Sequence, residues 1–334
     1  MCTRRSRCAT TVSNISRSAA VERDADVSAE FDLVVGIPTF RRPQLLAALL
    51  DSLLPELQGR RALVIVADND CGAEAPAVVA QFRQRWPDSV CIPVAARGVA
   101  QVRNALVGEA LARAPHWQWL LMMDDDGLVT PGWLQHLLDT GAAYDSHLVG
   151  GPVDGVLPPG ASVFAQNSIF AARRRWPTGL VPSLNTTQNL AISRRVEQLF
   201  APPFFRNEYG ASGGEDYDFF RRVAHAGGRI AWSDEALVLE PAPPERLTTR
   251  SLLHRYATTG SYMLAIDSFY DGRGYTALLA FKGVCGALVR MALAAVTLRR
   301  VKAAREVLTL AHYCGRVAGL FGVRTNRYVA PAKK

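Results

Sequence analysis

Leu120-Leu121-Met122-Met123-Asp124-Asp125-Asp126 runs four apolar residues straight into three consecutive carboxylates. The apolar run has the character of a buried parallel strand, and the carboxylates fall where that strand ends. In open α/β sheets, ligands bind just past the carboxyl ends of strands. Adjacent like charges repel, so a fold that keeps three together calls for a counter-charge. A hard divalent cation with oxygen ligands supplies one. Asp126, helped by Asp124, can hold Mg²⁺ or Mn²⁺ that also binds a diphosphate and neutralises a leaving group. A solvated loop that caps a helix is the plainer alternative, since Asp favours caps and turns.

Two further acidic sites punctuate the same region. Asp68 closes the run Leu63-Val64-Ile65-Val66-Ala67, where a strand-end carboxylate can accept hydrogen bonds from a base or ribose. Glu215-Asp216 follow Gly213-Gly214 at a helix start. They are either a helix cap or a general base that takes the proton of an attacking hydroxyl. Arg41 lies in the loop beyond the first strand, just ahead of a helix, and both features suit phosphate; a solvated surface charge is the alternative. Arg103 sits off the apolar stripe of its helix and can pair with a phosphate or a nearby carboxylate. No Ser-His-Asp or Cys-His spacing stands out, and His116, His136, His147, His225, His254 and His312 form no ligand pattern.

Alternating strands and helices must position these groups. Residues 31–38 are a short β-branched run that Pro38 is expected to stop. Leu45, Leu46, Leu49, Leu50, Leu53, Leu54 and Leu57 make a broad helical stripe. The strand over 63–70 completes a β-α-β unit, which implies a right-handed crossover and a parallel sheet. A helix over 78–86, a weak strand over 90–94 and a helix from Gly98 to Ala114 follow. Beyond the acidic run come a helix from Pro131 to Thr140 and a strand over 147–153. That strand carries Gly150-Gly151, where backbone can approach a ligand closely. Residues 154–182 read as irregular, and their Arg173-Arg174-Arg175 run reads as a solvated face. A strand over 186–193, an aromatic loop over 204–212, the helix after Gly214 and two short strands lead to a Pro-rich stretch at 240–246.

The chain has 334 residues, 49% of them hydrophobic, enough for a sizeable core. A formal charge of +8 favours anionic partners. The basic residues are dispersed and no aromatic-basic motif accompanies them, so nucleic acid ranks last among those partners. Six scattered cysteines without a CxxC pair read as reduced thiols of a cytoplasmic protein. The first 30 residues are rich in Arg, Ser, Ala and Thr without an apolar core, and read as a disordered tail rather than a cleavable signal. Residues 276–298 are strongly apolar, yet Lys282 and Arg290 interrupt them and Arg299, Arg300 and Lys302 follow. A membrane span prefers about 20 residues with few charges. An interfacial helix is therefore expected, paired with an amphipathic one over 301–321, at the inner face of the cell membrane. A helical hairpin packed on the rest of the chain or in a homodimer is the main alternative, and a genuine membrane span the third.

The ordered landmarks resemble a family-two glycosyltransferase of the GT-A fold, bacterial and non-processive. They are Val35-Gly36-Ile37-Pro38-Thr39-Phe40-Arg41-Arg42, Val66-Ala67-Asp68-Asn69, Gly98-Val99-Ala100-Gln101-Val102-Arg103-Asn104, Asp124-x-Asp126 and Gly213-Gly214-Glu215-Asp216. Glu240-x-x-Pro243-x-x-Arg246, then Arg255 and Gly260, is similar to a bacterial subgroup. The resemblance implies an α/β fold, with a Rossmann-like, mostly parallel central sheet flanked by helices. The catalytic domain would span 31–250 and a helical extension 251–325, between tails at 1–30 and 326–334. It implies that Pro38, Thr39, Arg41, Asp68 and Arg103 bind the nucleotide, with Asp124 and Asp125 also at the nucleotide sugar. Asp126 and Asp124 would hold Mn²⁺ or Mg²⁺, Asp126 directly. Asp216 would be the catalytic base and Glu215 its acceptor-side neighbour. The implied reaction moves one sugar, with inversion, from a nucleotide-diphosphate sugar to a hydroxyl of a glycan or lipid-linked glycan in cell-surface biosynthesis. The Gln-x-x-Arg-Trp motif of processive synthases is absent. Two alternatives remain: a catalytically inactive scaffold of the same kind, and a sugar-phosphate nucleotidyltransferase. The second normally carries a Gly-rich basic loop where this chain has Pro38-Thr39-Phe40-Arg41.

Overall fold

The computed structural model describes residues 30–171, 173–184 and 186–323. The tail expected at 326–334, and all but one residue of the tail expected at 1–30, lie outside the described residues. The first half alternates β1 (Leu33–Thr39), α1 (Pro43–Leu57), β2 (Ala62–Asp68), α2 (Glu74–Arg83), β3 (Ser89–Pro93), α3 (Val99–Arg113) and β4 (Trp119–Met123). Then come β5 (Leu128–Val129), α4 (Trp133–Ala143), β6 (Leu148–Gly150), β7 (Val153–Val156), α5 (Val163–Gln166), β8 (Gly179–Leu180) and β9 (Asn189–Ser193). The sheet-forming part closes with α6 (Glu215–His225), β10 (Ile230–Trp232) and β11 (Val238–Pro241).

Eight strands form the main sheet in the order β3-β2-β1-β4-β9-β6-β10-β8, and β5-β11-β7 form a small second one. Strands β3, β2, β1 and β4 are mutually parallel, as expected. Strand β9 runs antiparallel to both β4 and β6. Alternate residues of the buried strands feed two cores, one on each face of the sheet. Val35, Ile37, Val64, Leu121 and Met123 pack with Leu46, Leu49, Leu50 and Leu53 of α1. Val34, Ile65, Leu120 and Met122 pack with Leu106 and Ala110 of α3 and Phe219 and Phe220 of α6.

Two local expectations are corrected. Pro38 does not stop β1, which continues to Thr39 paired with β2. Pairing of β1 with β4 ends at Gly36, so Pro38 lies beyond the stretch that β4 would need it to donate to. Gly150 and Gly151 make close approaches to protein rather than to an open ligand site. A Cβ on Gly151 would strike the Ala236 carbonyl, and one on Gly150 would lie 2.6 Å from Leu184.

Three long helices follow: α7 (Thr249–Asp271), α8 (Arg273–Val296) and α9 (Arg300–Leu320). Helices α7 and α9 meet backbone to backbone. A Cβ on Gly260 would strike the His312 carbonyl, and one on Gly315 the Ala257 carbonyl. Helix α8 turns its small residues Ala280, Ala287 and Ala294 inward and exposes Phe281, Val289, Leu293 and Val296. By length and composition it could cross a membrane, and only 17% of its most apolar window is buried.

Candidate active site

Strand β4 delivers Asp124, Asp125 and Asp126 at its carboxyl end, where Gly127 N donates to the Asp124 carbonyl at 3.2 Å and turns the chain. Asp125 and Asp126 are each only 4% exposed. Asp125 faces the protein with both oxygens. Thr39 Oγ1 donates to its Oδ2 at 2.7 Å, and Arg42 donates to its Oδ1 at 3.0 Å. Asp125 thus ties the end of β1 to the end of β4. The same Arg42 nitrogen donates to Asp126 Oδ2 at 3.0 Å, and Arg246 approaches that oxygen at 3.5 Å. The other oxygen of Asp126, Oδ1, is buried with no hydrogen-bond partner among the described residues. Burial first, then Asp124, Glu240 and Asp125, push the Asp126 carboxyl up to about 7 against the pull of Arg42.

A buried anionic oxygen without a partner is costly, and a bound cation would satisfy it. Among the described residues no three His, Cys, Asp or Glu side chains converge as an all-protein metal site. Mg²⁺-type sites take one or two carboxylates and complete their shell with water and substrate phosphates. Asp126 and Asp124 therefore fit such an ion.

The residues expected at the nucleotide lie on the neighbouring strand ends. Asp68 folds its carboxylate back on its own turn, accepting from Asp70 N and Gly72 N, each at 2.9 Å. Arg41, at φ 55°, swings outward and donates through Nε to Asp70 Oδ1 at 2.8 Å. Arg97 joins it, and the two guanidinium groups flank the exposed Phe40 ring at 5.1 and 5.0 Å. Pro38 and Thr39 form the edge between this basic corner and the Asp125 carboxylate.

On the opposite flank, α6 begins at Glu215 with Gly214 as its N-cap, so Glu215 and Asp216 occupy the first turn rather than the cap. Carboxylates there favour the positive end of the helix dipole. Asp216 is half-buried, and its Oδ1 accepts from Tyr217 N at 2.7 Å. Glu215 is buried in an ion pair with Arg103. Burial raises its carboxyl, Arg103 opposes that, and Asp216 and Asp124 add to the rise. Arg103 Nη2 also donates to Asp124 at 3.2 Å. Of the two partners its position allowed, Arg103 meets carboxylates, and it links the acidic run on β4 to the head of α6.

Several residues at the site were not singled out by their local sequence. Arg42, next to Arg41, grips the acidic run. Glu240 and Arg246, noted only as part of a motif, flank Asp126. The Arg173–Arg175 run is a solvated face only in part: Arg174 and Arg175 are exposed, while Arg173 is drawn inward. Arg173 pairs with Glu240 and donates to Gln188 at 2.7 Å, while Arg175 pairs with Asp234 at 2.8 Å and Asp154 at 3.1 Å. Cys71, Cys91, Cys285 and Cys314 are free thiols; Cys2 and Cys8 lie outside the described residues.

Residues 34–192 match the model of the family described as glycosyl transferase family 2. The succinoglycan biosynthesis protein ExoM of Rhizobium meliloti (strain 1021) is 30% identical over 298 residues, 87% of this chain and 93% of ExoM. The mannosyltransferase PcManGT of Pyrobaculum calidifontis, solved in complex with GDP-Man and Mn²⁺, superposes with a TM-score of 0.55. It is 15% identical, over 85% of this chain and 86% of that one. The expected GT-A architecture is the one observed. With identity to ExoM extending over nearly the whole of both chains, this chain belongs to glycosyl transferase family 2 and is a glycosyltransferase of the GT-A fold.

Proposed function

We propose that this glycosyltransferase moves a single sugar, with inversion and with a divalent metal, from a nucleotide-diphosphate sugar to a hydroxyl of a growing cell-surface polysaccharide. The observation that carries the reading is the Arg103 bridge. It joins Asp124 of the diphosphate-side acidic run to Glu215, the neighbour of the base candidate Asp216. Donor-side and acceptor-side carboxylates thereby belong to one site. The absence of Gln-x-x-Arg-Trp supports addition of single sugars, and the similarity to ExoM, a succinoglycan biosynthesis protein, supports a polysaccharide product.

Asp216 takes the proton of the acceptor hydroxyl as its oxygen bonds to the anomeric carbon. The bond from that carbon to the diphosphate oxygen breaks, and its electron pair leaves with the nucleoside diphosphate. Attack opposite the leaving group inverts the configuration. Mg²⁺ or Mn²⁺, when bound by Asp126 and Asp124, supplies charge neutralisation to the diphosphate; the Mn²⁺ in the PcManGT complex supports this choice. Arg42 and Arg246 hold the Asp126 carboxylate. Thr39, Asp68 and Arg41 line the side where the nucleotide is expected.

The outward apolar face of α8, bordered by Lys282, Arg299, Arg300 and Lys302, supports attachment to an anionic membrane surface on the cytoplasmic side. A lipid-linked glycan would then meet the enzyme at that surface. The test of the catalytic reading is a thermal-shift screen of UDP-, GDP- and dTDP-sugars with and without Mn²⁺ or Mg²⁺. One nucleotide should raise the melting temperature in a metal-dependent way. No shift with any of them would favour a binding or scaffold role.

A further inference from the structure

We infer that a cavity behind the head of α6, walled by α7 and the end of α9, receives the terminal sugar ring of the acceptor. The inference rests on the glycosyltransfer reading above. The cavity has about 540 Å³ of empty space, its open mouth included. Tyr209 and Ser212 line it from the loop before α6; Thr258, Ser261, Tyr262 and Ala265 line it from α7. The four α7 positions follow the spacing of a single helix face.

Its position relative to the base motif is fixed by short contacts. Gly213 N donates to the Tyr209 carbonyl at 2.8 Å, so the cavity wall and the glycine pair ahead of α6 form one turn. Gly214, at φ 99°, lies directly under the Tyr262 ring, and a Cβ there would sit 2.6 Å from Cδ2. The wall of the cavity therefore rests on the residue before Glu215 and two before Asp216. A hydroxyl presented to Asp216 needs the rest of its sugar to be held nearby, and this cavity begins within a few residues of Asp216 along the chain.

The lining chemistry selects the ligand class. Among the described residues none that lines the cavity is charged, which suits neither a diphosphate nor its metal. Two tyrosine rings offer flat apolar faces for the C–H face of a pyranose, and the Ser212, Thr258 and Ser261 hydroxyls, which donate to the Gly213, Arg255 and Val323 carbonyls, keep lone pairs that accept from sugar hydroxyls. Apolar walls with a few convergent polar groups are what a small-molecule site requires. The extension therefore does more than anchor the enzyme: α7 and α9 build the acceptor side of the site.

The test uses the full chain and saturation-transfer NMR with the methyl pyranosides of glucose, galactose and mannose as probes. Wild-type protein should transfer saturation to the ring protons of at least one of them. Ala265→Trp, which fills the cavity, should abolish that signal, while Ala265→Ser keeps it. Should Ala265→Trp fail to melt cooperatively, Val323→Trp at the partly exposed rim takes its place with the same expected loss. The metal-dependent thermal shift by the donor should persist in every variant. No signal from any pyranoside with wild-type protein, or an undiminished signal in the filled variant, overturns the acceptor cavity. Loss of the donor shift in wild-type protein would instead overturn the glycosyltransfer reading, so the two failures are distinct.

Discussion

Arg103 of α3 and Glu215 of α6 form an ion pair buried between two helices, and the same guanidinium reaches Asp124 at 3.2 Å. Removing one partner of a buried pair strands the other charge, at a cost of about 3–5 kcal/mol. Glu215 Oε2 already has no partner among the described residues, so little is in reserve. Arg103→Met is expected to lower the urea unfolding free energy by about that amount and to abolish transfer. Arg103→Lys keeps the charge but loses the fork that spans two carboxylates, and should fall between. Adding Glu215→Gln to Arg103→Met should restore much of the lost stability without restoring activity. A loss of less than about 1 kcal/mol in Arg103→Met, typical of exposed pairs, would show that the pair does not hold α6.

Asp126 and Asp216 are expected to separate binding from chemistry. Asp126 presents a buried oxygen without a protein partner, while Asp216 is half-buried on the far side of the Arg103 bridge. Asp126→Asn should remove the metal-dependent part of donor binding, read by titration calorimetry with and without Mn²⁺. Asp216→Asn should leave donor affinity within about twofold and slow transfer by about a hundredfold or more, the scale of general-base catalysis. Equal donor affinity in the first variant, or normal turnover in the second, would reverse these roles.

What the sequence conveys and what it withholds divide along physical lines. The Leu120–Met123 run and the leucine stripe of α1 are legible because burial imposes a local period. Pro38 misleads because its tolerance depends on where β4 stops pairing, a fact held eighty residues away. The antiparallel course of β9 is equally non-local. Arg41 and Arg42 are indistinguishable as letters; a positive φ at Arg41 sends one outward and the other onto Asp125 and Asp126. Arg103 is buried despite lying off its apolar stripe, since its carboxylate partners come from other elements. The Arg173–Arg175 run is paired for the same reason.

The acidity of the site gives a pH dependence whose sign is fixed. Asp126 stands at about 7 in the folded protein against 3.8 for the free side chain, with burial the largest cause. Between those values the folded state binds a proton that the unfolded chain has lost, so this contribution to stability falls as pH rises. His312 slopes the other way. Burial, with Arg316, lowers it to about 4 from 6.5, so its contribution is lost as pH falls through that window. In a His312→Gln background, the melting temperature of metal-free protein should decline from about pH 5 to about pH 7.5. Asp126→Asn should reduce the decline and leave the part that Glu215, raised by burial in the same direction, contributes. Mn²⁺ competes with the proton, so its stabilisation should be larger at the upper pH. A flat profile in the His312→Gln protein would remove Asp126 as a buried, proton-binding group.

Helix α8 offers the prediction that separates a membrane surface from a packed hairpin. Its inward face is small and its outward face large, the reverse of what a helix covering a soluble core needs. Arg290, one of the two cations interrupting the apolar run, is paired with Glu306 of α9 at 2.9 Å. Lys282 remains exposed beside Phe281, and Arg299, Arg300 and Lys302 stand at the far end. An apolar face rimmed by cations favours anionic lipid through both area and charge. The protein is expected to sediment with vesicles containing phosphatidylglycerol, less with pure phosphatidylcholine, and less at high salt. Replacing Val289 and Leu293 by Glu should release it without changing the melting temperature by more than a degree or two, because both side chains are exposed. A change from dimer to monomer in those variants, with no vesicle binding by the parent, would assign the face to a second copy of the chain instead.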